Sequence, residues 1–217
     1  MLREEIIRKI EEEKIIAIIR GIGDTELCLR LSEALIKGGI KLIEVTFDQS
    51  APDRFSDTSN AISAIDRAFG NDVCIGAGTV LTPQLAEMAG GAGAKYIISP
   101  DVSDAVIEKT RELGLVSIPG AMTPSEITHA IRVGADIIKL FPAGVLGAAY
   151  VKSIKAPLNH IKLLATGGVD ASNVSELQKA GCIGFGIGGN LVNKDYIKEG
   201  RFDKITEAAR EILSAIK

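Results

Sequence analysis

The chain repeats one pattern eight times in 217 residues: a short apolar run, then an amphipathic stretch. The runs are IIAIIR (15–20), IKLIEVTF (40–47), VCIGAG (73–78), KYIIS (95–99), LVSIPG (115–120), ADIIKLF (135–141), IKLLATGG (161–168) and GFGIGGN (184–190). Their Val, Ile and Leu content is that of strands covered on both faces. Helical periodicity fills 24–37, 59–69, 82–91, 103–113, 123–133, 146–155 and 171–180, and a last helix covers 202–216. Glycines in KGG, GGAGA, VGA and KAG supply helix stops, while Thr82-Pro83 and Thr123-Pro124 supply N-caps followed by proline. This alternation predicts a single-domain (β/α)8 TIM barrel over residues 1–217, with MLREEIIRKIEEEK as an extra N-terminal helix. A doubly wound open sheet would show the same alternation, so closure is the point on which the two architectures differ. One connection, 48–59, is longer than a minimal link and reads as a flexible βα loop.

In a barrel, chemistry gathers at the C-terminal ends of the strands. DIIKLFP, residues 136–142, sets Lys139 inside an apolar run. With a period of two, Ile137, Lys139 and Phe141 share one side, and Asp136, Ile138 and Leu140 the other. A buried ammonium is costly unless it is paired or neutralised, so such a lysine has a partner, snorkels from an edge, or is a nucleophile of lowered pKa. In the second run Leu42, Glu44 and Thr46 share a face, so a carboxylate sits among apolar positions as well. Together Lys139 and Glu44 form either a structural ion pair or a Schiff-base site. In the second case a neutral amine attacks a ketone and the carboxylate moves protons, with Phe141 and the isoleucines keeping the amine dry.

Other polar residues at strand ends, Arg20, Thr46, Thr79 and Thr166, converge on the same mouth. TGG (166–168) and IGGN (187–190) end the seventh and eighth strands, where barrels hold phosphate on backbone N–H groups. Gly167, Gly168, Gly188 and Gly189 are the candidate cradle, and the Asn190 amide can donate to a phosphate oxygen. In GAGT (76–79), glycine would clear space for a substrate and Thr79 would donate to a carboxylate.

Composition removes several alternatives. A net charge of −3 without a basic cluster, no Trp and 4% aromatic residues argue against nucleic acid and anionic membranes. The N-terminal segment lacks the apolar core of a signal peptide, and no run approaches the ~20 apolar residues of a membrane span. Cys28, Cys74 and Cys182, odd in number and far apart, read as buried thiols of a cytoplasmic protein. His129 and His160 fall in a helix and before the seventh strand, so no zinc set forms and no metal is expected.

The order EVTF, GAGTV, SPD, IPGAMTPSE, IKLFPA, ATGGV and IGGN resembles the 2-keto-3-deoxy-6-phosphogluconate aldolase family, which includes enzymes acting on 4-hydroxy-2-oxoglutarate. The resemblance spans nearly the whole chain. It implies a class I aldolase barrel, a homotrimer, and no metal or organic cofactor. It also implies that Lys139 forms the Schiff base, that Glu44 is the general acid/base, and that Arg20 and Thr79 lie near the carboxylate end with Thr166 beside the site. Gly167, Gly168, Gly188 and Gly189 would surround the phosphate. The chain departs from the family where many members have an arginine after E-V-T and a serine after the second glycine pair; it has Asp48 and Asn190. The implied reaction cleaves the phosphorylated keto acid to pyruvate and glyceraldehyde 3-phosphate. Alternatives are an aldolase for 4-hydroxy-2-oxoglutarate or the phosphogalactonate epimer, a phosphate-binding barrel isomerase or decarboxylase without covalent lysine chemistry, and a phosphosugar-binding module.

Overall fold

A computed structural model describes residues 2–70 and 72–216. Its strands are β1 Ile15–Ile19, β2 Leu42–Thr46, β3 Cys74–Gly78, β4 Tyr96–Ile98, β5 Val116–Ile118, β6 Gly120–Ala121, β7 Ile138–Leu140, β8 Leu163–Thr166 and β9 Cys182–Ile187. All pairings are parallel, in the order β5-β4-β3-β2-β1-β9-β8-β7-β6. The two ends of that order, β5 and β6, are separated in the chain by Pro119 alone. They are halves of one strand, and the sheet closes through them. Across the break the Ser117 carbonyl accepts from the Ile137 N–H at 3.3 Å and the Pro119 carbonyl from the Lys139 N–H at 2.9 Å. An open doubly wound sheet would leave two unpaired edges, so the barrel is the architecture of this chain.

Ten helices are described: α1 Arg3–Glu13, α2 Thr25–Lys37, α3 Phe55–Phe69, α4 Pro83–Gly91, α5 Asp104–Glu112, α6 Pro124–Val133, α7 Ala143–Lys155, α8 Val174–Lys179, α9 Lys194–Lys198 and α10 Phe202–Ser214. They sheathe the outer faces of the strands, where Ile43, Val45, Ile75, Ile138 and Leu140 are buried against helix residues such as Leu31, Ile62, Ile127 and Val151. Thr82 and Thr123 cap α4 and α6 as the sequence predicts, accepting from the Leu85 and Glu126 N–H groups. None of the described helices is long and apolar enough to cross a membrane. The three cysteines are buried and free.

Several boundaries differ from the sequence reading. The 48–59 connection is partly helical: a 3₁₀ turn at Pro52–Arg54 leads into α3 four residues before the expected start. Packing of the partly buried Phe55 explains this, since its ring lies edge-on against Phe47 with centroids 5.5 Å apart. The helix α7 also begins early, at Ala143, and is broken at Gly147, whose φ of 76° and ψ of 172° are not helical. Finally, α9 is a short helix for which the sequence reading assigns no element, capped by Asn193, which accepts from the Asp195 and Tyr196 N–H groups.

The helix α1 closes the end of the barrel where the strands begin. Its Ile6 and Ile10 are buried among the interior residues Ile16, Leu42, Cys74, Tyr96, Val116, Ile137 and Leu164. Asp136 fastens it: one carboxylate oxygen meets Arg3 Nη1 at 2.7 Å, and the other accepts from the Ser117 N–H at 2.9 Å. Arg3 is partly solvated, so the Ser117 bond carries more of the effect. Asp136→Ala is expected to cost about 2 kcal/mol by orphaning that N–H. Urea denaturation checks this, and an unchanged midpoint would mean that neither the Ser117 bond nor the Arg3 pair contributes measurably.

Candidate active site

Strand register brings the two candidate groups into one interior. Glu44 pairs with Ile18 and Gly76, and Lys139 with Gly120 and Leu164. Both side chains point inward on the face occupied by Leu42 and Ile137, with only 1% of Glu44 and 3% of Lys139 exposed. The register places Lys139 mid-sheet, which rules out a lysine snorkelling from an edge. Neither is the pair a structural salt bridge. No ion pair within 4.0 Å joins them, and neither Glu44 oxygen has a hydrogen-bond partner. Burial pushes the Glu44 carboxyl up, opposed by the charges of Lys139 and Arg20. Burial likewise pushes the Lys139 ammonium down, opposed by Glu44 and reinforced by Arg20. Both groups are therefore drawn toward their neutral forms, which for lysine is the nucleophilic one.

The glycines of β3 explain how an unpartnered carboxylate stays in place. A Cβ at position 78 would overlap Glu44 Oε1, and one at position 76 would overlap the Tyr96 ring. These glycines clear space for two protein side chains, and not for a substrate as the sequence reading held. Tyr96 is fully buried beneath the carboxylate, its hydroxyl donating to the Ile43 carbonyl at 2.7 Å. Sequence reasoning missed Gly78 and Tyr96 as parts of the site. The available signal was the inward parity of Gly76, Gly78 and Tyr96 on adjacent strands.

At the mouth of the same interior opens a cavity of about 380 Å³, whose lining includes neither Lys139 nor Glu44. Arg20, Phe141, Thr166, Gly167, Gly168, Gly188, Gly189 and Asn190 all line it. The structure thus assembles every one of these predicted residues around one space. Gly167 and Gly168 have φ of 84° and 73°, a left-handed pair that side chains disfavour. The Gly144 N–H, at the start of α7, donates to the Gly167 carbonyl at 2.7 Å and fixes the turn. Thr166 Oγ1 is buried without a partner, and Asn190 Nδ2 donates to the Val169 carbonyl at 3.2 Å. Arg20, exposed at the rim, has no ion-pair partner among the described residues. Phe141 lies against Gly167, and Lys139 Nζ stands 5.2 Å from its ring centroid.

Thr79 and Thr46 do not line this cavity. Thr79 sits just beyond β3 with φ of 56°, and Thr46 is buried with its carbonyl accepting from Thr58 Oγ1 at 3.3 Å. Arg20 lines the glycine side of the mouth and also acts by its charge on Glu44 and Lys139.

A closed parallel barrel carrying a dry lysine and a carboxylate beside a glycine-lined cavity is the architecture of a class I aldolase. Residues 6–208 match the family model for aldolases described as KDPG and KHG aldolase, and the chain belongs to that family. It is 34% identical over 178 residues to the 2-dehydro-3-deoxy-6-phosphogalactonate aldolase of Escherichia coli (strain K12), covering 82% of this chain and 83% of that protein. To the 2-dehydro-3-deoxy-phosphogluconate aldolase of Treponema pallidum (strain Nichols) it is 31% identical over 213 residues, covering 97% of each. Among solved structures it superposes on a KDPG aldolase from Legionella pneumophila with a TM-score of 0.82, at 29% identity and covering 92% and 94% of the two chains. That structure holds pyruvate captured as a covalent carbinolamine intermediate. The chain is accordingly a carbon–carbon lyase, and its relatives divide between the gluconate and galactonate substrates.

Proposed function

We propose that the protein cleaves 2-keto-3-deoxy-6-phosphogluconate to pyruvate and glyceraldehyde 3-phosphate through a Schiff base on Lys139. The observation that carries this reading is the buried Lys139, drawn toward its neutral form and sharing its interior with a buried carboxylate that accepts no hydrogen bond. The amine adds to C2 of the keto acid, and loss of water leaves an iminium. The ionised Glu44 takes the C4 hydroxyl proton, directly or through one water. The C3–C4 bond then breaks, its electrons flowing into the iminium to give the aldehyde and an enamine. Glu44, now protonated, returns its proton to C3, and hydrolysis frees pyruvate and the lysine. These steps use no metal or organic cofactor.

The residues around the pair divide the substrate between them. The left-handed Gly167 and Gly168, with Gly188, Gly189 and Asn190, would hold the phosphate beside Arg20, which favours a phosphorylated substrate over 4-hydroxy-2-oxoglutarate. Thr166 Oγ1, buried and unpartnered between the lysine and the glycines, would bind a hydroxyl of the chain, and Thr79 would serve the carboxylate. Phosphogalactonate is the second reading, favoured by the 34% identity to the E. coli enzyme. The configuration of the product condensed from pyruvate and glyceraldehyde 3-phosphate separates the two. A reducing cytoplasm suits the three buried thiols. For the assembly we propose a homotrimer, with the exposed Met122, Phe141 and Val145 as apolar contact groups.

Borohydride reduction with pyruvate, followed by peptide mapping, tests the central step. One reduced pyruvate on Lys139 is expected. Absence of an adduct, while another family enzyme labels in parallel, would refute the mechanism.

A further inference from the structure

Thr79 is strained. Its φ of 56° lies in the left-handed region, which a β-branched residue rarely enters. Among described non-glycine residues only Lys14 shares a positive φ, and Lys14 ends a helix. The turn at Thr79 is also the one whose glycine, Gly78, lies against the Glu44 carboxylate. Two contacts from the β2 side hold it: the Phe47 N–H donates to the Gly78 carbonyl at 2.9 Å, and Gln49 Nε2 donates to the Thr79 carbonyl at 2.8 Å. The loop around Gln49 is shaped in turn by Asp48, which accepts from the Ser50 N–H at 3.0 Å and from Ser50 Oγ at 2.6 Å. Asp48 is exposed, and the Ser50 bonds hold its carboxyl below the usual range, so it stays ionised. The same bonds fold residues 48–50 so that the Gln49 amide reaches across to the neighbouring strand.

We infer that Gln49 is a positioning residue for the keto-acid end of the site, clamping Thr79 in the left-handed conformation that serves the substrate carboxylate. The inference rests on the aldolase reading above. A clamp of this kind acts on binding of the keto acid and leaves the Lys139 chemistry in place. Exchange of pyruvate methyl protons in deuterated water reads it directly, because no aldehyde is needed. Gln49→Ala is expected to raise KM for pyruvate about 5-fold, the worth of one neutral hydrogen bond, with kcat for exchange changed by less than about 2-fold. Gln49→Asn keeps the amide on a stem too short to reach, and should match Gln49→Ala. In a Thr79→Gly background, where the left-handed conformation needs no clamp, Gln49→Ala should add nothing.

An unchanged KM, a fall in kcat alone, or full additivity with Thr79→Gly would overturn the positioning role. Borohydride trapping at saturating pyruvate separates the two levels of the argument. An adduct on Lys139 together with an unchanged KM removes only the clamp. No adduct in the unaltered protein removes the aldolase reading and the clamp with it.

Discussion

Lys139→Met is expected to lower aldol cleavage by on the order of 10⁴-fold or more while the barrel stays folded. Among the described residues the amine is the only group in the interior that can form the electron sink, and no other described lysine enters the site to replace it. Methionine fills nearly the same volume, so the variant tests chemistry without opening a cavity. Stability should follow the buried charge. The folded-state pKa of Lys139 lies below its unfolded value, so between the two the unfolded chain binds more protons and stability rises with pH. Below the lowered pKa the full cost of a buried ammonium is present. The methionine variant lacks that cost and should gain stability over the parent most clearly at acid and neutral pH. Measurable cleavage by the purified variant, followed as pyruvate release, would remove Lys139 from the mechanism.

Glu44→Gln is expected to slow both cleavage and pyruvate proton exchange by about 10²- to 10⁴-fold, the usual span for a general acid/base. The amide has the same shape and fits over Gly78, so binding should survive. Because burial raises the Glu44 pKa, activity of the parent should climb with pH as the carboxyl ionises, and this limb should be missing from the glutamine variant. The stability consequence has the opposite sign to that of lysine. From the ordinary carboxyl range up to the raised pKa, the folded protein binds more protons than the unfolded chain, so stability is lost as pH rises through that window. Glutamine abolishes this loss. An identical pH profile for the two proteins would place the proton-transfer role on another group.

Much of this site was legible in the sequence because strand parity is a strong rule. Period-two alternation put Lys139 with Ile137, and Glu44 with Leu42, on the faces they occupy. The glycine pairs at 167–168 and 188–189 were visible as strand-end turns, and they meet around one cavity because β8 and β9 are neighbours in the barrel. Contacts between side chains and backbones of other strands were not legible. Parity puts Gly78 on the inward face but does not announce that Glu44 leans on it, and nothing local to Gln49 announces the Thr79 carbonyl 30 residues away. The early start of α3 was missed for a similar reason: the packing of Phe55 on Phe47 outweighs the weak helix propensity of the residues between. Arg20 meets the glycine pairs because its strand, β1, pairs with β9.

The docking of α1 has a kinetic corollary. With Ile6 and Ile10 stoppering the end where the strands begin, the barrel is a blind well, and everything that enters must leave by the opening it came through. On the proposed reading, the fragment joined to Lys139 would lie deeper than the one held at the glycines. Departure would then be sequential, phosphorylated aldehyde first and pyruvate last, and in the reverse direction pyruvate would load before its partner.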